Sequence, residues 1–101
     1  MRAPLAGLAL VAIVGTAEAA GDRELGEYLF GECTACHQAS GRQTGAIPAI
    51  IGWPEDQFIA IMDAYRSKMR ENQVMQTIAA RLSAEEVAAL AAYLTTLKPV
   101  P

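Results

Sequence analysis

Histidine occurs once in this 101-residue chain, tryptophan once and cysteine only twice. A lone imidazole excludes bis-histidine ligation of a metal within the chain. Zinc, which usually wants four ligands, would find only two thiols and one ring unless carboxylates were recruited. There is no basic run, so neither nucleic acid nor an anionic membrane surface is indicated as a partner. Strand character is scarce. Repeats, low-complexity segments and internal linkers are also missing.

The N-terminus reads MRAPLAGLALVAIVGTAEAA. Arg2 supplies a positive n-region, Leu5 to Val14 an apolar run, and Ala17-Glu18-Ala19 a small-x-small site. That layout predicts a secretory signal peptide over residues 1–19, cleaved before Ala20. The ten-residue run is short of the about 20 residues that bilayer crossing requires, so no membrane insertion is expected after cleavage. No cysteine follows the site, and a lipid anchor is not expected. Residues 20–101 form the expected mature domain. Losing Arg2 and Glu18 takes the 8 basic and 11 acidic residues to 7 and 10, a net charge of −3. A core of this size is marginal on its own, which calls for a staple.

The mature stretch reads as a set of helices. Asp22 can cap a first helix carrying Leu25, Leu29 and Phe30. Ser40, Gly41, Gly45, Pro48 and Gly52 mark an irregular loop over 38–52. Pro54 opens a second helix, with Glu55 and Asp56 in its first turn. Phe58, Ile61, Met62, Tyr65 and Met69 give it one apolar stripe. Asn72-Gln73 interrupts the pattern, and a short stretch around Ile78 resumes it. Ser83 and Glu86 form a capping box. Val87, Leu90, Ala91, Leu94 and Leu97 line the last helix, which Pro99 is expected to end. The fold class is small all-α, with one long loop.

Both cysteines and the histidine lie together in ECTACHQ, residues 32 to 38. C-x-x-C-H is the covalent attachment signature of c-type haem. Thiols at i and i+3 lie on one side of a helical turn, placed for thioether bonds to two haem vinyl groups. The imidazole at i+4 falls beneath the iron. A structural disulfide between Cys33 and Cys36 would close a tiny loop and leave His37 unexplained. A thioredoxin-like redox pair needs a βαβ context that is not here. One covalent haem c therefore accounts for Cys33, Cys36 and His37, and it supplies the apolar centre the small domain needs.

With His37 as one axial ligand, a six-coordinate iron would take a methionine. Met1 leaves with the signal peptide. Met62 and Met69 sit on the second helix's stripe, where methionine is usually core filler. Met75 follows the Asn72-Gln73 break on a segment free to cross the other haem face. Position favours Met75, with Met69 as the alternative.

GEYLFGECTACH resembles the N-terminal helix of small class I cytochromes c, whose glycine and aromatic residue face the last helix. Gly26 and Phe30 hold those places, opposite Leu90, Tyr93 and Leu94. From CTACHQASGR to AALAAYL the chain resembles one haem domain of the cytochrome subunit of flavocytochrome c sulfide dehydrogenase. The specific parts are CxxCH, the Pro-containing loop, F-x-x-x-M-x-x-[YF]-[RK], and V-M-x-x-I-A before a capped helix. The resemblance implies the class I fold, its N- and C-terminal helices crossing around one haem. It implies Met75 as axial ligand and a carbonyl from the Pro48 stretch that orients His37. Two departures stand out: the subunit often carries two haem domains, and Ile78-Ala79-Ala80-Arg81-Leu82-Ser83 replaces the family's I-A-K-G-Y-S.

Other residues carry two readings each. Trp53 either lies against the haem or covers the start of the second helix. Arg42 is an exposed loop residue or a propionate partner. Arg66, Lys68 and Arg70 read as a solvated basic face rather than a docking patch.

The expected function is periplasmic one-electron transfer by a His/Met-ligated c-type haem, in a carrier rather than an enzyme. By resemblance, the donor is a flavoprotein oxidising sulfide or another reduced sulfur compound, with this chain as its cytochrome subunit. A free monohaem shuttle of another respiratory or photosynthetic chain is the alternative. A haem-based gas binder or sensor is a third reading, which requires Met75 to stay off the iron.

Overall fold

The computed structural model describes residues 21–99. The expected signal peptide, residues 1–19, lies outside them. Four helices follow in order: α1 (Arg23–Cys33), α2 (Glu55–Arg66), α3 (Gln73–Arg81) and α4 (Ala84–Leu94). Among the described residues there is no strand, only an isolated bridge between Thr44 and Ile47 in the long loop. No helix among them is long and apolar enough to cross a membrane. The expected all-α class holds.

Local chemistry starts these helices where the sequence marks them. The Asp22 carboxylate accepts from the Glu24 and Leu25 N–H groups, satisfying two donors that α1 cannot pair internally. Ser83 and Glu86 complete the reciprocal box at α4. Asn72, read only as a break, is the N-cap of α3.

α1 crosses α4, and α2 packs on both α3 and α4. The α1–α4 crossing is close because Gly26 has no side chain. A Cβ there would overlap the Ala89 carbonyl and stand 2.8 Å from the Tyr93 Cβ. One turn on, the Phe30 ring meets that of Tyr93 at 5.7 Å between centroids. Phe30, Phe58, Met62, Val87, Leu90 and Leu94 are buried around this frame, joined by Ile50 and Ile51 from the loop.

Three expectations need correction. α2 stops at Arg66, three residues before Met69, because Lys68 turns left-handed at φ 64°. The Met69 N–H then reaches back to the Ala64 carbonyl and the Lys68 N–H to that of Tyr65, the paired bonds of a Schellman stop. Met69 is thereby thrown outward, 82% exposed. The last helix ends at Leu94, before Leu97, where Thr95 and Thr96 make a tight turn; Thr96 donates its hydroxyl to the Tyr93 carbonyl at 2.6 Å. The Leu94 carbonyl at that stop accepts from the Leu97 N–H at 3.1 Å and from the Gly52 N–H at 2.8 Å. Gly52 stands at φ 78°, a backbone state glycine adopts without steric cost. Lastly, Arg66 and Arg70 are not a merely solvated face. Arg66 donates to the Leu82 carbonyl at 2.7 Å, and Arg70 to the Tyr65 hydroxyl at 2.9 Å.

Candidate functional site

The motif begins on the last residue of α1. Past Cys33 the chain makes one more turn: the Cys36 and His37 N–H groups both donate to the Cys33 carbonyl, at 3.1 and 2.8 Å. This turn holds the two thiols and the ring as one rigid unit. Cys33 is half-buried against the core, Cys36 is exposed, and neither is paired in a disulfide. Burial pushes the Cys33 thiol up to about 11, and the adjacent Glu32 carboxylate adds to the rise. Redox-active cysteines have lowered values that favour the thiolate. Cys33 is shifted the opposite way.

Among the described residues His37 is the one buried polar side chain, 9% exposed. Its Nδ1 lies 2.7 Å from the Pro48 carbonyl oxygen. A carbonyl only accepts, so Nδ1 carries the proton and donates it. Nε2 is then left with its lone pair, and it makes no hydrogen bond among the described residues. A buried imidazole with one nitrogen tied to a backbone carbonyl and the other unpaired is the arrangement of a metal-ligating histidine.

Met75 lies in the first turn of α3, half-buried and packed against the core together with Cys33, Trp53, Tyr65 and Leu82. Its N–H donates to the Asn72 side chain at 3.0 Å. Met69 shares none of this, and Met62 is core filler, 4% exposed. Trp53 is half-buried just before the Pro54 cap of α2, packed on the same cluster. Among the described residues no three His, Cys, Asp or Glu side chains converge as a metal-binding group, so zinc finds no donor set. The sequence reading missed Asn72 as the cap of the Met75 helix. An asparagine three residues before Met75 was the available signal.

The family model for cytochrome c matches residues 24–98. The chain belongs to the cytochrome c family. It is an electron-transfer family, and membership implies covalently bound haem c. The cytochrome is 35% identical over 107 aligned positions to a thiosulfate dehydrogenase electron acceptor of Stutzerimonas stutzeri (strain A1501), covering 97% of this chain and 48% of the relative. A protein of the same name from Thiomonas intermedia (strain K12) is 39% identical over 69 positions, 66% of this chain and 32% of the relative. The chain thus spans about half, or less, of the curated relatives it matches. Among solved structures it superposes on cytochrome c4 of Acidithiobacillus ferrooxidans with a TM-score of 0.71 at 23% identity, covering 77% of this chain and 51% of that one. Cytochrome c4 of Pseudomonas stutzeri gives 0.68 at 24%, over 79% and 53%. These likenesses show the class I fold. The relatives do not carry the flavocytochrome name that the sequence resemblance implied; their names place them with thiosulfate, still a reduced sulfur compound.

The residues present fit the implied group. Two unpaired thiols stand three residues apart at one turn, and a buried imidazole has Nδ1 fixed and Nε2 unpaired among the described residues.

Proposed function

We propose that this cytochrome accepts electrons singly from a dehydrogenase acting on thiosulfate or a related reduced sulfur compound. One haem c, held by Cys33 and Cys36, supplies the one-electron Fe(III)/Fe(II) chemistry when bound. The observation that carries the haem assignment is the 2.7 Å bond from His37 Nδ1 to Pro48, which leaves Nε2 free as the axial donor. Met75 is the opposite axial ligand in this reading, supported by its half-buried place on α3 and by the outward turn of Met69. The Pro48 carbonyl accepts the hydrogen bond that His37 Nδ1 donates, and Trp53 covers the haem surroundings in this reading. With both His37 and Met75 holding the iron, no position would stay open for a substrate, so in this reading the chain is a carrier rather than a catalyst.

Residues 1–19 direct it to the periplasm in this reading, where both thiols are consumed by thioether bonds. The names of the two relatives support a thiosulfate-oxidising donor. The test mixes ferric holoprotein with thiosulfate and purified thiosulfate dehydrogenase and follows haem reduction. Repeating it with sulfide and a flavin-containing sulfide dehydrogenase decides between the two donors. Reduction by neither removes the sulfur assignment and leaves the general shuttle. Carbon monoxide binding to the untreated ferrous protein would favour the gas-binding reading instead. Acid–acetone extraction should leave the haem on the chain, as thioether attachment requires.

A further inference from the structure

α3 is a weakly anchored helix. It has nine residues, buries only Ala79, and packs on no helix other than α2 among the described residues. A helix this short is marginal by itself, so its place is set by what grips it. At its start, Gln76 donates to the Arg70 carbonyl at 3.0 Å. Arg70 is itself locked, its guanidinium carbon 5.3 Å from the Tyr65 ring centroid. At its end one side chain does the holding. Arg66, in the last turn of α2, donates through Nη2 to the Leu82 carbonyl at 2.7 Å and through Nε to that of Ala79 at 3.5 Å.

We propose that Arg66 is a positioning residue for Met75: it ties the far end of α3 to α2 and so keeps the methionine on the iron. The inference rests on Met75 being the axial ligand. The terminal carbonyls of a helix have no internal partners and form the negative end of its dipole. A guanidinium placed there gives the Leu82 carbonyl a donor and meets the negative end of the dipole, while the Ala79 carbonyl also accepts from the Leu82 N–H at 3.2 Å. Among the described residues Arg66 has one other partner, Asp63 at 4.0 Å, whose side chain is 62% exposed. An exposed pair at that distance contributes little, so the bonds to α3 determine where the side chain goes. Lysine carries the charge but not the fork of donors that reaches two carbonyls.

The test titrates imidazole into ferric holoprotein. Imidazole takes the iron only where Met75 has left it, so its apparent affinity scales with the fraction of protein in which the methionine is off. Arg66→Met should tighten imidazole binding about tenfold, the order expected from losing a charged hydrogen bond. Arg66→Lys should fall between this variant and the parent. Arg81→Met removes an arginine from the same helix end that has no hydrogen bond among the described residues. It should bind imidazole as the parent does. Asp22→Ala removes the α1 cap and should lower the melting temperature without moving imidazole affinity. Parent-like affinity in Arg66→Met, or an equal shift in Asp22→Ala, overturns the proposal. If Arg66→Met fails to fold, Arg66→Lys and Arg66→Gln carry the same comparison. Met75→Ala separates the two levels of the argument. If it loses the sulfur-to-iron charge-transfer band and binds imidazole tightly while Arg66→Met does not, only the clamp falls. If Met75→Ala matches the parent in both, the ligand assignment and the clamp fall together.

Discussion

At the scale of single residues, the methionines divide by exposure. Met75→Ala should leave haem attached, abolish the ferric charge-transfer band, lower the potential and open the ferrous iron to carbon monoxide. Visible spectra and redox titration check this. Met69→Ala should keep the band. Because Met69 is 82% exposed, its truncation should change stability by no more than about 0.5 kcal/mol. The sequence placed Met69 on the buried stripe by continuing a period of three and four. What broke the period was Lys68, a residue with no local mark of a left-handed turn. His37 shows the opposite case. Its neighbours in the motif were legible from five consecutive letters, whereas its bond to Pro48 spans eleven residues and came only from resemblance.

Among the elements, two sites store a conformational or steric demand that substitution can read. Lys68 occupies the left-handed position after α2, which costs a side-chain-bearing residue about 1–2 kcal/mol. Lys68→Gly should recover about 1 kcal/mol, seen as a melting temperature raised by about 4–8 °C in a domain of this size. Gly26 is the reverse. Its missing side chain lets α1 approach the Ala89 backbone, which cannot yield as a flexible side chain would. Gly26→Ala should therefore cost about 1–3 kcal/mol, near the upper end, measured by denaturant unfolding of the holoprotein. Unchanged stability would mean that the helices slide apart freely. The resemblance singled out this glycine, and the crossing supplies its physical reason.

For the whole molecule, charge is thin where the motif lies. From residue 33 to residue 54 the only charged side chain is Arg42, in a protein that is 19% charged. Electrostatic steering typically raises association rates by about 10–10³-fold and fades as salt shortens the Debye length. Docking through this charge-poor segment should lose less than about tenfold in rate as salt rises from about 0.01 M to about 1 M. Stopped-flow reduction by the donor dehydrogenase measures it, and a steeper fall would indicate a charged rim. The sequence by itself determined what depends on neighbours within one turn: the C-x-x-C-H constellation, the caps at Asp22 and Ser83, the all-α class. Those features rest on hydrogen bonds and spacings of three or four residues, which a linear pattern records. The tertiary structure alone decided where α2 and α4 stop, which methionine turns outward, and that Arg66 reaches carbonyls 13 and 16 residues away. The Arg66 bonds depend on which carbonyls another element brings within reach, and the outward turn of Met69 on a left-handed Lys68; chain order carries no mark of either.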